Sequence, residues 1–174
     1  MHSFEDLTYH CTEYMLGTLS ESEHKVLQAL ETSGATSLVK ALKMIQLQKA
    51  ISVVGVFSMF DALLQDRLGM ADGFRAANEV VEKAGEADLK TRFQDLQAAI
   101  NVLKHGRGRS YDALVNRSDS LPFRIKKPGE AFFNEGELSE ISTLIEVDVA
   151  FVQCCASMIR EVSVALRKHV PTFL

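Results

Sequence analysis

Apolar residues recur every three or four positions along most of the chain, the spacing that gathers them on one face of an α-helix. Phe4, Leu7, Cys11, Tyr14 and Met15 predict a short helix over 4–16. Ser20-Glu-Ser-Glu23 has the form of a capping box, in which the Ser hydroxyl accepts from an orphan backbone N–H while the Glu reaches back. It predicts a second helix from Ser20 to Thr32, stopped by Ser33-Gly34. From Ala35 to Leu68 there is no proline and one glycine, and Leu38, Leu42, Ile45, Val53, Phe57, Phe60, Leu64 and Leu68 predict a long amphipathic helix or two collinear ones. Its middle is apolar almost all round, so burial on several sides is expected, as for the central helix of a bundle. Gly69 ends it. A helix over 74–84, ended by Gly85, and another over 86–105, with Leu89, Phe93, Leu96, Ile100 and Leu103 on one stripe and Gly106 as its cap, follow.

From Arg107 to Gly136 the pattern breaks, with two prolines, several glycines and short mixed segments, which predicts a long loop; a small hairpin over Ser120–Lys127 is the minor alternative. Periodicity then returns over 136–169, with a seam at Ile141, Ile145, Asp148, Val152, Cys155, Ile159, Val162 and Leu166. The fold class expected is therefore all-α. One domain spanning 1–174 is expected, a helical bundle of five to six helices whose main members are 36–68, 86–106 and 137–168, with the long basic loop 107–136 before the last.

Composition agrees. Of 174 residues 47% are apolar and 24% charged, which excludes wholesale disorder. The apolar run from Ile51 to Leu64 is interrupted by Ser52, Ser58 and Asp61, so no transmembrane helix is expected and no membrane partner. The N-terminus lacks a basic region ahead of an apolar run, and three cysteines form neither a CxxC pair nor a disulfide framework; both point to a reducing, cytoplasmic setting.

Charge changes the picture more. The net charge is −4, yet between 104 and 127 seven cations (Lys104, Arg107, Arg109, Arg117, Arg124, Lys126, Lys127) face only Asp112 and Asp119, so this segment carries +5 and the remainder −9. A phosphate-bearing partner would be drawn there; the plainer alternative is a solvated loop. At its edge stands Ile100-Asn-Val-Leu-Lys-His-Gly106. Asn101 and His105 are four residues apart and share a helix face, where a histidine near neutrality can act as acid or base and Lys104, Arg107 and Arg109 could hold a phosphate. The competing explanation is that Asn101 and His105 bond the free carbonyls at the helix end.

Asn101-Val-Leu-Lys-His105, followed by Gly-Arg-Gly, resembles the active-site segment of the HEPN domains (higher eukaryotes and prokaryotes nucleotide-binding), whose pattern is Arg, four to six residues, then His, commonly R-N-x-x-x-H. The apolar helix carrying Phe57-Ser-Met-Phe-Asp61 and the closing helix carrying Val147-Asp-Val-Ala-Phe151 are similar to HEPN bundles in order and character, over roughly residues 36–168. The resemblance implies an all-α, RNA- or nucleotide-directed protein, with catalytic His105 and Asn101 and phosphate-binding Lys104, Arg107 and Arg109. It further implies a homodimer with the site between two copies and, for an active member, metal-independent endoribonuclease activity in a toxin or defence system. The family's arginine position is occupied by Ile100, which falls on the apolar stripe; Arg107 or Arg109 would have to supply the guanidinium. The alternative is a non-catalytic interaction or regulatory domain that uses 107–136 to contact a protein.

Other signals are weaker. Asp61 and Asp148 interrupt apolar helices and are read either as interhelical structural carboxylates or as groups orienting His105 or an arginine. Glu21-Ser-Glu-His24 has the Glu-x-x-His spacing of di-iron bundles but no second copy, so no metal and no cofactor are expected. Of the adjacent Cys154 and Cys155, one should face the core. Tyr111 could stack on a base or pack the loop down.

Overall fold

The protein, described here from a computed structural model that covers residues 3–130, 141–170 and 173, is all-α. The helices are α1 (Phe4–Leu30), α2 (Thr36–Leu68), α3 (Gly73–Lys83), α4 (Ala87–His105), α5 (Arg109–Val115) and α6 (Val149–His169), with a single 3₁₀ turn at Ser118–Ser120.

α1 is one helix where the sequence predicts two. Its N-cap is Ser3, whose Oγ accepts from the Asp6 N–H at 3.3 Å. Ser20 sits inside the helix, and Glu23, the presumptive partner in the capping box, instead receives the Lys49 Nζ of α2 at 3.4 Å. A glycine costs a helix only about 1 kcal/mol relative to alanine, so Gly17 does not break it. Thr18 and Ser22 donate their hydroxyls to the carbonyls of Tyr14 and Thr18, keeping the helical turn through this stretch.

α2 runs unbroken for 33 residues and closes on Gly69, whose left-handed φ of 66° lets its N–H reach the Gln65 carbonyl. One hydrophobic cluster draws on every helix: Leu16 from α1; Val53, Phe57, Phe60 and Leu64 from α2; Ala77 and Val81 from α3; Phe93, Leu96 and Ile100 from α4; Tyr111 and Leu114 from α5; Ile159, Val162 and Leu166 from α6. Aromatic contacts link the fully buried Phe57, Phe60 and Phe93 to the partly buried Phe4 and Phe74 packed against them. Phe4 stacks on Phe60, and Phe93 meets Phe60 and Phe74 edge-on at 6.3 and 5.6 Å, the offset and T-shaped geometries that the ring quadrupole favours. Burial of α2 on several sides is not what the structure has. Met44, Leu47, Ile51 and Met59 point outward, because only the side facing α1, α3, α4 and α6 is covered. By length and composition α2 and α6 could each cross a membrane, a composition that buried core helices share; a third of the apolar window of α2 and more than half of that of α6 are buried.

The region read as a loop contains α5 and the 3₁₀ turn, and Ser120–Lys127 forms no hairpin within itself. Its partner is the approach to α6: Lys126 N–H donates to the Leu144 carbonyl and Glu146 N–H to the Arg124 carbonyl, around an antiparallel bridge between Ile125 and Ile145. Phe123, Ile125, Ile145 and Val147 are buried in alternation with more exposed neighbours, a period of two rather than 3.6. α6 therefore begins at Val149, about a dozen residues later than the sequence predicts, with Ile141 and Ile145 of the predicted seam outside it. Residues 131–140, which include the end of the expected loop and the start of the expected helix, lie outside the described residues.

α1 is tied to α6 by Gln153 to Glu13 and by Arg167 to the buried Glu5. Burial, the largest single influence, would raise the Glu5 carboxyl, but hydrogen bonds from Arg167, the backbone and Ser3 outweigh it and hold the group below its ordinary value of 4.5. A depressed carboxyl contributes stability that is complete above the ordinary value and lost as pH falls through the folded one. Glu5→Gln is expected to lower the Tm at pH 7, and the difference from the parent should shrink as the pH falls below 4.5 and through the depressed folded value; thermal unfolding over a descending pH series checks it.

Candidate functional site: the basic turn after α4

The stripe of Leu89, Phe93, Leu96 and Ile100 anchors α4 in the core, and the polar side chains of its last turn are exposed beyond it. Ile100 is buried, as its place on the stripe requires; Asn101, Lys104 and His105 are exposed. The helix ends because Gly106 takes a φ of 73° and its N–H closes on the Val102 carbonyl at 2.8 Å. An L side chain would resist that φ. The chain reverses there and starts α5 at Arg109 after three residues, so Lys104, His105, Arg107 and Arg109 crowd one exposed turn.

Six of the seven cations of the 104–127 segment separate into two sets. Arg117 pairs with Asp95, a carboxylate buried on α4; Arg124 lies 3.3 Å from Glu146, and Lys127 lies 3.5 Å from Asp119. The first two tie the segment to α4 and to the approach to α6, and the third is internal to it. Lys104, Arg107 and Arg109 have no acidic partner among the described residues. The Arg107 guanidinium lies 5.8 Å from the ring centre of Tyr111, a cation–π distance that leaves its N–H groups open. Tyr111 itself is buried and donates its hydroxyl to the Lys126 carbonyl at 2.8 Å. It packs the segment down rather than offering a ring to a base.

Asn101 and His105 do not cap their own helix: among the described residues neither side chain makes a hydrogen bond. They share a flank of α4, but the clefts nearby separate the expected site. Asn101 lines a cleft of about 430 Å³ between α3 and α4, beside Arg75, Asn78, Gln94 and Gln97. Arg107 lines another of about 420 Å³, with Lys126, Lys127, Glu130 and Thr143. The two share no lining residue, so Asn101 and Arg107 do not converge on one enclosed volume. Inside the first cleft Asn78 Nδ2 donates to Gln97 Oε1 at 3.1 Å, which leaves Asn78 Oδ1 and Gln97 Nε2 buried without a partner.

The two carboxylates proposed to orient the site are structural. Asp61 accepts from the Phe74 N–H at 3.0 Å and from Gln65 Nε2 at 2.7 Å, joining α2 to the start of α3. Asp148 is the N-cap of α6, accepting from Phe151 N–H at 2.7 Å, so it precedes the helix that the sequence has it interrupt. Cys155 is buried and Cys154 half-buried, and burial pushes both thiols up, away from reactivity. No group of three or more metal-ligating side chains occurs among the described residues.

Sequence reasoning missed Asp95, Asn78 and Arg75. Asp95 had a visible signal, a carboxylate beside Leu96 on a buried face. Asn78 and Arg75 had none, because only the packing of α3 on α4 brings them to Asn101. No family model matches the chain, and no curated protein or solved structure is significantly similar to it.

Proposed function

We propose that the chain is a HEPN-like RNA- or nucleotide-binding module that takes the phosphates of its ligand on the turn formed by Lys104, Arg107 and Arg109. The supporting observation is that these three cations stand exposed and unpaired while the other arginines and Lys127 of the same segment are engaged with carboxylates. Clustered cations without internal counter-ions release the condensed ions of a phosphate backbone on contact, which is the main source of sequence-independent affinity. In this reading no bond is cleaved. Ile100 is core, and the cleft that Asn101 lines contains no residue of the basic turn.

A second reading, metal-independent endoribonuclease activity of the toxin or defence type, is favoured by one observation. Asn101 and His105 lie four residues apart on an exposed flank with their polar atoms unused, so an imidazole and an amide could act together on a ribose and its phosphate. A regulatory protein presenting acidic groups would compete for the same turn.

Fluorescence anisotropy with a labelled mixed-sequence single-stranded RNA pool in chelator tests both. The parent should bind with a log–log salt slope of about 2, near 0.7 per neutralised phosphate for single strands. Arg107→Ala/Arg109→Ala should remove about 1.4 of that slope, while His105→Ala leaves the affinity in place. Absence of binding at low salt refutes the proposal. Cleavage of the pool by the parent, abolished in His105→Ala, establishes the second reading instead.

A further inference from the structure

The outward face of α2 carries a line of side chains that none of the other described residues covers. Taking α-helical rotation, Lys40, Met44, Gln48, Ile51, Gly55, Ser58, Ala62 and Asp66 all fall within about 40° of one line along the helix, and all eight are exposed. The buried residues Leu42, Lys49, Val53, Phe60 and Leu64 occupy the opposite side. No charged residue occurs between Ala50 and Phe60. Met44, Ile51 and Met59 are each about 60% exposed, an outlay of apolar surface that a solitary soluble helix does not need.

We propose that this face binds a second copy of the same chain, α2 against α2 in antiparallel fashion, with the two-fold axis crossing the outward face at the level of residue 53, whose own side chain is buried on the opposite side. The line is self-complementary only in that direction. Antiparallel pairing about residue 53 sets Ile51 of one copy beside Gly55 of the other, Met44 beside Ala62 and Gln48 beside Ser58. Each large side chain therefore meets a small one. Building a Cβ on Gly55 meets nothing within 4 Å, so the recess is open to receive Ile51. The same register sets Lys40 against Asp66 at both ends. Lys40 has no ion-pair partner among the described residues, and Asp66 has only its chain neighbour Arg67, at 3.9 Å.

A parallel arrangement would instead place Ile51 on Ile51 and Lys40 on Lys40. A membrane surface would call for cations flanking the apolar face, whereas one end of this face is acidic. Knobs facing recesses with opposite charges at the two ends are what an isologous two-fold contact requires. From Lys40 to Asp66 the line is roughly 40 Å long, and a helix-wide strip of that length covers on the order of 400–500 Å² per copy. That places it among the smaller, weaker interfaces, with a Kd expected in the micromolar range. The proposal is independent of what the basic turn binds.

Sedimentation velocity of the full chain from about 1 to 200 µM at low salt tests it across the range where such interfaces dissociate. The mass should rise from 19.3 kDa towards twice that value. Ile51→Glu and Gly55→Leu should each raise the dimer Kd at least tenfold with unchanged helicity by circular dichroism, whereas Val164→Glu, an exposed apolar position on α6, should leave it within twofold. Lys40→Glu and Asp66→Lys should each weaken the dimer about three- to tenfold, and the two together should restore it, since both end pairs are then swapped. These last variants alter only exposed side chains, so they decide the matter even where Ile51→Glu misfolds. A monomer at every concentration overturns the proposal, as does a dimer indifferent to Ile51→Glu and Gly55→Leu, or one in which the double charge swap fails to rescue. Monomeric protein that floats with phosphatidylserine vesicles overturns it too, in favour of a membrane surface.

Discussion

Gly73→Ala is expected to destabilise the protein by about 2–3 kcal/mol and lower its Tm by roughly 4–12 °C. Propensity argues for the opposite sign. Gly73 opens α3, and replacing a helical glycine by alanine ordinarily stabilises by up to about 1 kcal/mol. A Cβ there would stand 2.5 Å from the Asp61 carbonyl oxygen, 2.7 Å from Leu64 Cβ and 2.8 Å from the Gln65 nitrogen. Two of those atoms are backbone of α2 and cannot yield as a flexible side chain would. α3 would have to lift away, and the bond from the Phe74 N–H to Asp61 would lengthen with it. Gly17→Ala provides the contrast: its Cβ meets nothing within 4 Å, so there propensity decides and the urea midpoint should rise. Chemical denaturation of the two variants beside the parent checks the pair of signs.

The same contrast explains what could be read from sequence. The apolar stripes of α2, α4 and the body of α6 are periodic over many turns, and the structure has helices there because burial of those stripes dominates. The sequence signals that failed were short and local. The Ser20-Glu23 box describes a helix start that is favourable in isolation, but α1 buries Leu16 and Leu19 on one continuous face, and breaking the helix between them would expose it. The entry to α6 failed for a related reason. Ile141, Ile145 and Asp148 fit a helical seam by spacing, yet Ile125 and Ile145 are buried together in an extended pair that links segments twenty residues apart. A spacing rule that looks along one segment does not register a partner supplied by another.

For the site, sequence placed the charge and packing apportioned it. A net +5 between 104 and 127 was plain, but Arg117, Arg124 and Lys127 turn out to be held by Asp95, Glu146 and Asp119, and only Asp119 belongs to the same stretch of chain. Asp61 and Asp148 stood out as carboxylates in apolar surroundings. Each finds a backbone N–H: that of Phe74 for the half-buried Asp61, and that of Phe151 for the exposed Asp148, which caps α6. The outward face of α2 was hidden by its own composition, because an apolar residue facing the core and one facing a partner molecule read identically.

Phe93→Ala should have the largest effect of any single truncation here, about 3–5 kcal/mol, lowering the Tm by some 10 °C or more. Phe93 has no exposed surface, lies in the first half of α4 and touches the rings of both Phe60 and Phe74, which join α2 and α3 to it. Removing the ring leaves a void whose walls come from three helices, so relaxation of one cannot fill it without displacing the others. Phe93→Leu retains most of the volume and should cost about half as much or less. These variants also separate scaffold from site. Phe93 lies two turns or more from Asn101, Lys104 and His105 along the same helix, so well below its lowered Tm the Phe93→Ala protein should bind RNA with the parent's affinity and salt slope. Binding lost in proportion to unfolding, and recovered on cooling, would locate Phe93 in the scaffold alone; binding lost while the far-UV spectrum and the unfolding transition remain intact would mean that the basic turn depends on the position of α4 to a degree that its exposure does not suggest.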